Sequence, residues 1–146
     1  MVAGELLVRR ALNEAKKKKP DLARIYPLLE KAALMGNGEA LYAIGTWYLF
    51  GKYLKKNTAK AAQYFLMAGE KGHPAAFYDL AVCYEKGVGV KKNGKKAFEY
   101  YLQAALSGDK EAIYDVGRCY YYGIGIGKNL KIANIWLRNA ELHGVS

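Results

Sequence analysis

Alanine stands at positions 40, 76 and 112, and the 36-residue step between them recurs along the chain. Tyr48, Tyr84 and Tyr120 keep the same step, as do Gly51, Gly87 and Gly123. So do Ala61, Ala97 and Ala133; Ala68, Ala104 and Ala140; and Gly72, Gly108 and Gly144. Six such triplets in constant register define a repeat array, in which each unit buries its apolar face only by stacking on its neighbours. Repeats are expected at 37–72, 73–108 and 109–144. Residues 1–36 form a degenerate capping hairpin, and the whole of 1–146 forms a single solenoid domain.

Each unit reads as two helices. From Pro74 to Lys86, apolar Ala76, Phe77, Leu80, Ala81 and Tyr84 fall at helical spacing. Gly87-Val88-Gly89-Val90 then ends the run, because glycine tolerates the left-handed backbone of a helix terminus. Asn93 is placed to cap the next helix, as are Asn57 and Asn129. Ala97, Tyr100, Tyr101, Ala104 and Ala105 make the face of that second helix, which ends at Gly108. In residues 1–36, Ala32 and Gly36 keep the register of Ala68 and Gly72. A first helix over about residues 3–18 is separated by Pro20 from a second over 22–35. The chain is therefore all-α, with about eight helices in four hairpins.

The composition narrows the class. No stretch approaches the roughly 18 uncharged residues a membrane span requires. Glu5, Arg9 and Arg10 interrupt the first apolar segment, which does not read as a signal peptide, so a cytoplasmic protein is expected. The net charge is +10, from 23 basic and 13 acidic residues. That excess favours encounter with acidic partners and says nothing about fold. Residues 1–36 carry eight basic and four acidic groups, including Lys16-Lys17-Lys18-Lys19.

The pattern resembles the Sel-1-like repeat family, a relative of the tetratricopeptide repeats. It is carried by Ala76, Leu80, Ala81, Tyr84, Gly87, Gly89, Val90, Lys96, Ala97, Tyr100, Tyr101, Ala104, Ala105 and Gly108. The third unit matches through Ala112, Val116, Gly117, Tyr120, Gly123, Gly125, Ile126, Ala133, Trp136, Leu137 and Ala140. The first is looser: Ile44, Gly45, Tyr48 and Gly51 fit, but Lys52-Tyr53-Leu54 replaces the Gly-x-Gly turn. The resemblance implies a right-handed superhelical α-solenoid that assembles protein complexes, with the first helix of each pair lining a concave groove. Small members of the family act as immunity proteins, which makes a stoichiometric inhibitor of a toxin one form of the expected role. Some secreted members hold each hairpin with its own cysteine pair. This chain lacks that feature, in keeping with a reducing compartment.

On that reading the concave face also carries Ala43, Leu49, Glu85, Lys86 and Tyr121, and the groove is lined by Tyr42, Thr46 and Phe50; by Tyr78, Asp79 and Val82; and by Tyr114, Asp115, Arg118 and Tyr122. These are the expected partner-binding residues. Tyrosine with arginine is the composition of binding hot spots, since the ring buries area while its hydroxyl keeps a hydrogen bond. The competing reading is that Tyr42, Tyr78 and Tyr114, one period apart, pack between helices. The expected partner is an extended peptide or a helix of another protein. From a different class comes binding of nucleic acid or an anionic surface along a lysine edge: Lys52, Lys55 and Lys56; Lys91, Lys92, Lys95 and Lys96; Lys128 and Lys131. That edge would bind phosphates with strong salt dependence, but lacks the interleaved arginines and aromatics of dedicated nucleic-acid surfaces.

Other chemistries find no foothold. Gly123-Ile124-Gly125-Ile126-Gly127-Lys128 superficially resembles a phosphate loop, but a helix rather than a strand precedes it, and Gly87 begins the same turn. Cys83 and Cys119 lie one period apart on successive units, too far for a disulfide and without the histidines of a zinc site. The serines are Ser107 and Ser146 and the histidines His73 and His143, and their spacing supports no catalytic arrangement. An enzyme, a cofactor and a metal are not expected. Ile132, Ile135, Trp136 and Leu137 are expected to lack cover near the carboxyl end, which predicts a docked partner, weak self-association or a longer array.

Overall fold

A computed structural model describes residues 2–146, and among these the chain is helical, with no strand. It divides into two compact units, one running to His73 and the other starting at Pro74. The first holds α1 (Glu5–Ala15), α2 (Leu22–Leu34), α3 (Gly38–Phe50) and α4 (Thr58–Glu70). The second holds α5 (Pro74–Lys86), α6 (Gly94–Leu106), α7 (Lys110–Tyr122) and α8 (Leu130–Leu142). Consecutive helices pair as antiparallel hairpins, and α2 packs on α3 as α6 packs on α7.

The turns inside the three regular hairpins are built alike. Asn57, Asn93 and Asn129 accept the backbone N–H of Lys60, Lys96 and Ile132 at 3.0, 3.1 and 3.0 Å. Each such cap stabilises its helix by about 1 kcal/mol. The same asparagines donate their own backbone N–H to Tyr48, Tyr84 and Tyr120 O at 2.9, 2.8 and 2.9 Å, stitching the turn shut. Helices α3 and α7 are capped by Asn37 and Asp109, which accept from Ala40 and Ala112 N–H. Asn37 is buried, and its Nδ2 donates to Ala3 O at 2.9 Å, tying the start of the chain to α3.

Small residues let the helices of a hairpin close. A Cβ added at Gly117 would lie 2.9 Å from the Leu137 side chain and 3.1 Å from its backbone nitrogen. Around that approach the second unit buries Ala81, Ala97, Phe98, Tyr101, Val116 and Cys119. The first unit has a separate core of Val8, Ala11, Ile25, Leu29, Ala32, Ala40, Ile44 and Trp47. Stacked rings flank the turns: Tyr48 on Tyr64 at 5.7 Å and Tyr84 on Tyr100 at 5.6 Å, again one period apart.

Two expectations need correction. Helix α1 is shorter than about residues 3–18: Gly4 adopts φ 77° before it, and it ends at Ala15 with Lys16 as its cap. Of the four apolar residues expected to lack cover near the carboxyl end, only Ile135 is strongly exposed, at 68%, while Leu142 beyond them is 82% exposed. Trp136 packs against the core of the second unit and Leu137 meets Gly117. With Ala133 and Ala140 fully buried, those residues share the inward face of α8, whereas Ile135 points away from it.

Candidate protein-binding face

The expected groove residues of the second unit do not stand free in solvent. Arg118 on α7 sends Nη1 and Nη2 to the two carboxylate oxygens of Glu85, at the end of α5, both at 2.8 Å. Its Nε donates to Asp115, one turn earlier on α7, at 3.0 Å. Tyr101 on α6 donates its hydroxyl to Glu85 at 2.7 Å, and its ring lies 5.9 Å below the guanidinium. Tyr78, on α5, lies near enough to Asp115 for that carboxylate to raise its phenol, and sets its ring edge-on to Tyr101 at 5.6 Å. A single polar network therefore ties three helices together. The bidentate geometry fixes orientation as well as distance.

The electrostatics follow. Hydrogen bonds from Arg118 hold Glu85 below the usual carboxylate range. The same bonds hold Arg118 firmly protonated. Burial pushes Asp115 upward, opposed by Arg118 and Tyr78. Burial likewise raises the phenols of Tyr101 and Tyr78, which stay protonated, Tyr101 as the donor to Glu85. Cys83 and Cys119 are free and buried, their thiols pushed by burial to about 11 and about 12.

Of the expected site residues, Tyr78, Asp115 and Arg118 are thus brought together, with Asp115 only 8% exposed. Asp79, Val82 and Tyr114 are half-buried beside them, and Tyr122 is 67% exposed at the end of α7, its ring edge-on to Tyr121. In the first unit Tyr42 leans on Phe65 at 5.6 Å and His73 at 4.5 Å. Phe65 and Tyr101 are period equivalents, so Tyr42 and Tyr78 rest in the same way on their own hairpins. Thr46 donates to Ala43 O, and Phe50 is exposed. Sequence reading placed Tyr101 in the core and did not link Glu85 to Arg118. The signal was their separation of 33 residues, one helical turn short of the period, which faces the two across adjacent first helices.

On the lysine edge, Lys96 lies 5.2 Å over the Tyr84 ring and Lys52 5.4 Å from Trp47. Cation–π contacts of this kind hold the ammonium close to the body of the protein. Among the described residues no cluster of three or more His, Cys, Asp or Glu side chains is arranged to hold a metal ion. No helix among the described residues is long and apolar enough to cross a membrane.

The sequence profile of the Sel1 repeat matches residues 38–73, 74–109 and 110–145. A 50-residue stretch is 42% identical to the ERAD-associated E3 ubiquitin-protein ligase component HRD3A of Arabidopsis thaliana, covering 34% of this chain and 7% of that protein. The crystal structure of a Sel1 repeat protein from Oxalobacter formigenes superposes with a TM-score of 0.89 at 27% identity, over 97% of this chain and 58% of that one. A protective antigen of uropathogenic Escherichia coli strains, displaying an SLR fold, gives 0.85 at 25% identity, over 99% of this chain and 34% of its own. Helicobacter pylori cysteine rich protein B gives 0.66 at 28%, over 75% of this chain and 80% of that one. The chain thus spans less than two thirds of the plant protein and of the first two structures. The fold is the all-α solenoid of these proteins, and repeats of this kind are generally non-catalytic, protein-binding scaffolds. Three repeats in register, covering most of its length, make this chain a member of the Sel1 repeat family.

Proposed function

We propose that this chain is a non-enzymatic adaptor that holds an extended or helical segment of another protein against the face of α5 and α7. Tyr114 and Tyr122 on α7 anchor the partner, with Asp79 and Val82 contributing from α5. Tyr78, Asp115 and Arg118 act mainly from behind, keeping the face rigid. In the first unit Tyr42, Thr46 and Phe50 occupy the corresponding positions on α3 and have the corresponding role. The observation that carries this reading is the paired 2.8 Å contact of Arg118 with Glu85, which fixes the two first helices relative to each other before any partner arrives. Preorganisation of this kind raises affinity by removing the ordering cost of binding. In the inhibitor form of the role, one chain occludes the working surface of one partner molecule.

The test is affinity capture from the native lysate at physiological salt, wild type beside a Tyr114→Ala/Tyr122→Ala variant of unchanged melting temperature. A protein retained by wild type, lost with the variant and then bound directly by the purified chain supports the reading. Retention unaffected by the two changes refutes it. For the inhibitor form, the captured partner's activity must fall to zero at a one-to-one ratio.

A further inference from the structure

A cavity of about 180 Å³ lies in the first unit, where α1 turns into α2. Buried Ile25, Leu29 and Trp47 line its inner part, and exposed Leu12, Pro20 and Lys52 line its outer part. Apolar cavities of about 150 Å³ accept a benzene ring. This one has room for a single aromatic or branched aliphatic side chain.

The surroundings are strongly basic. Lys16 to Lys19 join Ala15 to Pro20, both of which line the cavity. Lys17 pairs with Glu14 at 2.7 Å, and among the described residues none of the other three makes an ion pair. The α3–α4 turn reaches the cavity through Lys52 and adds Lys55 and Lys56. That turn also departs from its counterparts. Gly89 and Gly125 adopt left-handed backbone at φ 71° and 68°, and Tyr53 does the same at φ 60°, a conformation that disfavours any side chain. Its half-exposed ring rests on Tyr26 at 5.7 Å and Trp47 at 6.1 Å. It thereby extends outward an apolar wall that begins at Trp47.

We propose that this cavity docks an acidic peptide segment of a partner protein. The segment inserts one aromatic or branched aliphatic side chain between Ile25, Leu29 and Trp47, while its carboxylates face Lys16, Lys18 and Lys19. The complementary charge selects an acidic partner, and the size of the cavity selects one apolar anchor. A phosphate backbone would meet the same lysines, but the cavity offers a nucleobase little besides Lys52 to hydrogen-bond. This site is separate from the α5–α7 face and does not depend on it.

The test uses the full chain and a probe heptapeptide, a Phe with three acidic residues on either side, titrated calorimetrically against its Phe→Ala counterpart. The Phe peptide is expected to bind about 30-fold more tightly, the worth of burying one such side chain. Ala43→Leu, which fills the cavity, should abolish that preference. Lys18→Glu/Lys19→Glu should weaken both peptides, as should raising salt from about 50 to about 200 mM. Should Ala43→Leu fail to fold, Leu12→Glu sets a like charge at the opening and should weaken the Phe peptide at least tenfold. Equal affinity for the two peptides, or no binding of either, overturns the proposal. So does tighter binding of an oligothymidylate or of phosphatidylserine vesicles than of the Phe peptide, since the lysines then act as a general anion surface.

Discussion

Glu85→Ala tests the polar network most directly. The substitution removes the acceptor of two hydrogen bonds from Arg118 and one from Tyr101. Arg118 keeps Asp115, so its charge is not left wholly unpaired. The Tyr101 hydroxyl loses its acceptor in a residue only 2% exposed. Breaking a fully buried ion pair costs about 3–5 kcal/mol and a surface pair about 0–1. With side chains 24% and 22% exposed, the Arg118–Glu85 pair lies between these limits, at about 2 kcal/mol after screening. The stranded hydroxyl adds about 1 kcal/mol. A total near 3 kcal/mol lowers the melting temperature of a chain this size by about 6–12 °C. Circular dichroism at 222 nm, with Tyr101→Phe alongside at about 1 kcal/mol, measures both. The pH dependence supplies a second check. Because Glu85 titrates below its ordinary value of 4.5, its contribution is complete above that pH and is lost as pH falls through the depressed value. The gap between wild type and Glu85→Gln should therefore be full at neutrality and narrow in acid. A melting temperature for Glu85→Ala within about 2 °C of wild type, or a Glu85→Ala/Arg118→Ala cycle coupling below about 0.5 kcal/mol, refutes the reasoning.

Three further outcomes are expected. Gly117→Ala, which forces a Cβ onto the Leu137 backbone, should cost about 1–3 kcal/mol in urea unfolding, and a neutral result would mean α8 shifts freely. At position 53 both glycine and alanine lose the ring, but glycine relieves the left-handed backbone while alanine keeps the strain. Tyr53→Ala should therefore melt below Tyr53→Gly by about 1 kcal/mol, and the reverse order would contradict the backbone assignment. Cys83 and Cys119, buried with thiols at about 11 and about 12, should resist iodoacetamide at pH 8 until urea opens the second unit. Rapid labelling of the native chain, followed by mass spectrometry, would show that the core is not closed.

What the sequence makes legible is whatever repeats. Asn57, Asn93 and Asn129 announce their caps because a local side-chain acceptor needs no tertiary information. Ala97 and Ala133 announce core positions because only small residues fit where helices close. Illegible are contacts that depend on the angle between helices. Glu85 and Arg118 meet only because one helix is offset by a turn from the next, and the stripe on α8 that turns Trp136 inward and Ile135 outward depends on which neighbour it packs against. The degenerate first hairpin was harder still. Its cavity arises where the regular repeat stops, so periodicity could not anticipate it. The candidate face was legible as a set of positions, but not in the division between side chains that remain accessible, such as Tyr122, and those already held within the chain, such as Arg118.

The buried cap at Asn37 has a chemical consequence. Asn37-Gly38 and Asn93-Gly94 are both asparagine–glycine steps, where the glycine nitrogen attacks the side-chain amide and ammonia is lost. Attack requires the amide to rotate toward the backbone. At Asn37 both ends of the amide are held, its oxygen by Ala40 N–H and its nitrogen by Ala3 O, and the residue is 4% exposed. At Asn93 the residue is exposed, with its oxygen held by Lys96 N–H. One dipeptide thus ages at two rates on a single chain. Accumulated deamidation at position 93 records elapsed time in solution, and deamidation at position 37 records how often the start of α3 has come undone.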